Sequence, residues 1–142
     1  MKTQIEGAAS FIRLAHAQWE KDCKALEGEL SELGLGFGSN GYKLALERGA
    51  HRLEQGVTAA LAYVAVQFTR TSDTWQEAHR AILEAIDRDF LSSSRLIAAP
   101  GQDPILSKVA ERMKHRIVEH CATAAPVLWP VRMILRWLRS PR

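Results

Sequence analysis

Five apolar residues recur every seven positions at the start of the chain: Ile5, Ile12, Trp19, Leu26 and Leu33. A seven-residue apolar period fits one face of an α-helix; strand side chains alternate every two residues. Ala8, Ala9, Ala15, Cys23 and Leu30 widen the stripe, so residues 4–33 are predicted to form one long amphipathic helix. On its outer side Glu20 precedes Lys24 in the favourable i, i+4 order. A stripe sustained over four heptads must be covered, either by the chain's own core or by a second copy in a coiled-coil seam. Asp22 and Glu29 occupy the second seam position and weaken the coiled coil. The core is therefore the expected destination, with a homodimer through the residue 5–33 helix as the alternative.

The rest of the chain reads as further helices. Gly34 stands where a helix C-cap is expected, and Ser39 or Asn40 can cap the next helix. From about Gly41 to Thr69 the inner stripe runs Tyr42, Ala45/Leu46, Gly49, Leu53, Gly56, Ala60, Val64 and Phe68. Residues 57–66 are apolar on nearly all sides, which suggests a central helix. Gly49 and Gly56 share a side with Ala45 and Ala60, a pattern that implies close approach of another helix. A short strand at 63–69 is the competing reading, because that run is β-branched and aromatic. Thr74 with Glu77 reads as a capping box, followed by Trp75, Ala78, Ile82, Ala85, Ile86 and Phe90 at helical spacing. Ser92–Ser94 weaken this helix and Pro100 ends it. Asp103 and Pro104 open another helix, with Ile105, Val109, Met113, Ile117, Cys121 and Ala124 on its stripe. Pro126 ends that helix, and Pro130 opens a short terminal one. The expected fold is all-α: a compact antiparallel bundle of about four main helices plus a short C-terminal amphipathic helix, one domain over residues 1–142.

A chain of this length buries roughly two-thirds of its unfolded surface, so its core requires neither disulfide nor metal. Cys23 and Cys121 are read as buried thiols of a reducing compartment, which points to the cytoplasm. No apolar leader follows Met1, and no stretch of 18 uncharged apolar residues marks a membrane span.

Candidate chemistry is sparse. Gly36-Phe-Gly-Ser-Asn-Gly41 matches the letters of the dinucleotide fingerprint, but that motif works at the end of a strand, and here a long helix precedes it. A glycine-rich interhelical turn is the expectation. Five histidines are scattered, at 16, 51, 79, 115 and 120. Glu47–His51 and Glu111–His115 are read as solvated i, i+4 pairs. Cys121 follows His120, but adjacent helical residues diverge. No catalytic residue, metal site or cofactor is expected.

Charge is distributed unevenly: residues 1–99 carry 11 Lys/Arg against 13 Asp/Glu, and residues 100–142 carry 8 against 3. Lys108, Arg112, Lys114 and Arg116 line the outer side of the fourth helix. The proline-bounded segment 126–142 adds Trp129, Arg132, Arg136, Trp137, Arg139 and Arg142. Arg132, Arg136 and Arg139 share one side of any helix there. Trp129 and Trp137 either close the core or dock outward. These features point to a non-enzymatic interaction protein, an adaptor, inhibitor or regulatory subunit, that binds a macromolecular partner through helix faces. A protein partner is the expectation, gripped by Trp129, Arg132, Arg136, Trp137 and Arg139. The alternative is nucleic acid or an anionic membrane surface, with Lys108, Arg112, Lys114, Arg116 and Arg142 as anion contacts.

Overall fold

The structure is a computed structural model that describes residues 2–34, 39–70, 72–92 and 105–122. It contains four helices: α1 (Lys2–Glu32), α2 (Ser39–Gln67), α3 (Asp73–Ala85) and α4 (Ile105–Ala122). A π-helical turn, Ile86–Leu91, continues α3. No strand occurs among the described residues, and residues 63–67 belong to α2. The short C-terminal helix and the whole 126–142 segment lie outside the described residues.

Local chemistry sets the helix ends. Gly34 adopts φ +74°, the left-handed region that costs glycine nothing, and its N–H donates to the Ser31 carbonyl at 3.0 Å. At the start of α3 the N-cap is Ser72, not Thr74. Ser72 is extended (φ −81°, ψ 163°), and its hydroxyl accepts the Trp75 N–H at 3.1 Å. An N-cap must precede the helical dihedrals. Thr74 already lies inside the helix, with its hydroxyl 3.0 Å from that of Ser72.

The heptad stripe of α1 faces the chain's own core: Ile12, Trp19 and Leu26 are buried, while Leu33, past the helix end, is exposed. Its main neighbour is α2, which runs antiparallel. Asp22 meets Arg52, Trp19 meets Ala45 and Gly49, Ala15 meets Gly56, and Gly7 meets Tyr63. Gly49 and Gly56 sit where α1 comes closest: a Cβ on Gly49 would lie 2.5 Å from the Trp19 ring, and one on Gly56 would lie 2.8 Å from the Ala15 Cβ. The glycine side predicted on α2 is thus the seat of α1.

The helices close into a ring in the order α1, α2, α4, α3. Glu54 pairs with Arg112 and Thr58 with Arg116, so α4 runs parallel to α2. Trp75 reaches Cys121 and Asp87 reaches Lys114, so α3 and α4 are antiparallel. It follows that α3 is parallel to α1. Consecutive helices are antiparallel, and two hairpins, α1–α2 and α3–α4, lie side by side in the same sense. Phe90 in the π turn joins them, stacking on Trp19 at 5.4 Å with the planes 4° apart. Ile82, Ile86, Leu106, Val109, Met113 and Ile117 fill the centre. α2 touches all three other helices, yet Val66 near its end stays exposed.

Candidate functional site

Three polar features stand out on this frame. The first is the basic face of α4. Lys108, Arg112 and Arg116 are exposed and spaced i, i+4, i+8, so they form one row along the outside of the helix. Arg112 Nη2 lies 3.1 Å from Glu54 Oε1, but both side chains are largely in water, where such a pair contributes little. Arg116 Nη1 donates to the Thr58 hydroxyl at 3.0 Å, a neutral acceptor. Lys114 belongs elsewhere: it turns to the other flank, half-buried, with Nζ 2.6 Å from Asp87 Oδ1 on the π turn. Trp129, Arg132, Arg136, Trp137, Arg139 and Arg142 lie outside the described residues.

The second feature is a clip between α1 and α2. Arg52 grips Asp22 with both arms of its fork, Nε to Oδ2 at 2.7 Å and Nη2 to Oδ1 at 3.0 Å. Its Nη1 donates to Gln18 and Gln55. The hydrogen bonds from Arg52 hold the Asp22 carboxyl below the usual carboxylate range. The clip floors an open groove of about 500 Å³ rimmed by Leu44, Glu47, Arg48 and His51. Asp22 was legible in the sequence as a misfit on the seam, but its partner 30 residues away was not. His51 lies on this groove while His115 is on α4, paired forward with Glu119 at 2.8 Å and not back with Glu111.

The third feature lies on the inner side of α3 and joins two histidines that the sequence left scattered. His79 is buried, four residues after Trp75 and three before Ile82, on the apolar stripe of α3. Its Nδ1 lies 2.7 Å from the Trp75 carbonyl and its Nε2 lies 2.7 Å from Nδ1 of His120 on α4. A carbonyl can only accept, so His79 Nδ1 carries the proton and its Nε2 accepts from His120 Nδ1–H. The Trp75 ring stacks on His120 at 5.3 Å, and its indole N–H donates to the Cys121 carbonyl at 3.2 Å. Burial pushes His79 down. Burial, then His79, Arg70 and Arg116, push His120 down to about 4. Both rings are therefore neutral at pH 7. The N···N distance fits a direct hydrogen bond; a bridging zinc, with N–Zn bonds of about 2.0–2.1 Å, needs more room. No trio of His, Cys, Asp or Glu able to hold a metal occurs among the described residues. The one signal for this pair in the sequence was His79, four residues after Trp75 and three before Ile82 on the apolar side of its helix; half-buried His120 carried none.

Cys23 and Cys121 are half-buried thiols, not joined by a disulfide, and burial pushes Cys121 further up. No described helix is long and apolar enough to cross a membrane. No protein-family model matches the chain, and neither the curated proteins nor the solved structures contain a significant match.

Proposed function

We propose that the protein is a non-enzymatic helical interaction module, an adaptor, inhibitor or regulatory subunit, that engages an acidic macromolecular partner. The contact surface is the outer row of α4 together with the Trp/Arg segment that follows it in the chain. The observation that carries this reading is the row itself: Lys108, Arg112 and Arg116 are aligned and exposed, and among the described residues Arg112 meets a solvated glutamate and Arg116 a neutral threonine. Arg132, Arg136, Arg139 and Arg142 follow the row in the chain and add to the same sign of charge, which steers association. A protein partner is favoured because Trp129, Trp137 and the arginines are the residue types that anchor protein interfaces. Two thiols fit a reducing compartment such as the cytoplasm.

The test compares the full chain with a 126–142 deletion and with a Lys108→Glu/Arg112→Glu/Arg116→Glu variant in quantitative affinity capture. Circular dichroism monitors folding in parallel. One partner recovered by the full chain and lost by both folded variants is the expected result. A deletion that unfolds, or variants that retain the partner, would refute the reading. Nucleic acid or anionic membrane is the second reading, favoured by the exposed guanidinium of Arg116, whose described acceptor is a neutral hydroxyl. It requires retention on heparin or anionic vesicles that falls steeply as salt rises.

A further inference from the structure

We propose that the His79–His120 pair is an acid-sensitive clasp, holding the last turn of α4 against α3 near neutral pH and releasing it when the pair is protonated. The geometry fixes the direction of every hydrogen bond in the chain: His120 Nδ1–H donates to His79 Nε2, and His79 Nδ1–H donates to the Trp75 carbonyl. A first proton can enter only at His120 Nε2. There it meets partial burial and two cations, Arg70 from the connection after α2 and Arg116 on α4. A second proton can enter only at His79 Nε2, where it turns an acceptor into a donor facing another donor across 2.7 Å. His79 is 2% exposed, so its ring cannot reach water unless the helices part. The two rings therefore titrate as a coupled unit.

What gives way is local. Leu106, Val109, Ala110, Met113 and Ile117 anchor the body of α4 in the core. Among the described residues, the contacts with α3 beyond Ile117 include His120 to His79, the Trp75 ring stacked on His120, and the Cys121 carbonyl to the Trp75 indole. The Cys121 thiol, pushed up by burial, adds no charge to the seam at neutral or acid pH. The charges that act on His120 from the described residues are both cationic, which works against its protonation in the closed state. Residue 123 is covalently continuous with this turn, so release shifts the root of the Trp/Arg segment whether or not that segment binds a partner.

The test uses the full isotope-labelled chain and two readouts between pH 7.5 and 4.5: histidine ring nitrogen shifts, and amide exchange corrected for intrinsic rate. At pH 7 both rings should be neutral Nδ1–H tautomers, and His120 should remain uncharged at pH 5.5. Protection at residues 118–122 should then fall at least about tenfold towards pH 4.5, while protection in α1 and α2 holds. His120→Phe should shrink that local pH step to the part that buried His79 carries alone. Rings that charge together near pH 6.5, protection at 118–122 that is unaffected by pH, loss spread evenly over all helices, or a step of unchanged size in His120→Phe would each overturn the proposal. If His120→Phe does not fold, the measurements on the unaltered chain decide.

Discussion

Replacing Gly49 by alanine tests the packing of α1 on α2 most directly. In an isolated helix the change gains about 1 kcal/mol of propensity. In this bundle the new methyl lies 2.5 Å from Cε2, 2.7 Å from Cζ2 and 2.9 Å from Nε1 of Trp19. That indole has little freedom to retreat: it is 1% exposed, stacks on Phe90, and donates to the Ala45 carbonyl at 2.8 Å. Overpacking of this kind costs about 1–3 kcal/mol. Pulling the indole N–H off its acceptor inside the core costs about 1–3 kcal/mol more. Set against the propensity gain, the net loss is about 1–5 kcal/mol, or about 3–15 °C in melting temperature for a domain of this size. Gly28→Ala on α1 is the internal control: nothing lies within 4 Å of the position, so propensity acts alone and should stabilise by about 0.5–1 kcal/mol. Urea and thermal unfolding followed by circular dichroism measure both. A Gly49→Ala protein that melts as high as Gly28→Ala would show that α1 does not seat on this side of α2.

Acid unfolding should show two limbs. The two histidines are depressed in the fold, so their stabilisation is complete above pH 6.5 and is lost as pH falls towards about 4. After discounting for partial exposure this limb is worth up to about 2 kcal/mol for His120, and urea midpoints in His120→Phe should be flatter across it. Asp22 is also depressed, from 3.8, so its contribution is complete above that value and is lost only at lower pH. Asp22→Asn should cost about 1 kcal/mol at pH 7 and flatten the lower limb alone; a change in the upper limb would contradict the assignment.

The elements with strong apolar periods were legible in the sequence. Ile12, Trp19 and Leu26 marked α1, Gly49 and Gly56 marked the side of α2 that another helix approaches, and Val109, Met113 and Ile117 marked α4. Period says which face is buried but not which helix covers it, so the ring order and the parallel α2–α4 pair were not readable. The start of α3 was misplaced by two residues because Thr74 and Glu77 carry capping chemistry, while Ser72 holds the extended backbone a cap requires. The π turn around Phe90 left no mark in composition. Of the site, the α4 row was visible as i, i+4 cations, although Lys114 proved to serve Asp87. The histidine pair was hidden because its partners are 41 residues apart.

The side-by-side hairpins also bear on how the chain reaches this state. Within α1–α2 a contact such as Trp19 with Ala45 spans 26 residues, whereas Arg112 with Glu54 spans 58. Trp19 with Phe90 spans still more. Loop closure for the second set must be met before their burial stabilises anything. Each hairpin leaves part of its apolar surface for the other to cover, Trp19 against Phe90 and α2 against α4, so docking of the two brings in the contacts of greatest sequence separation.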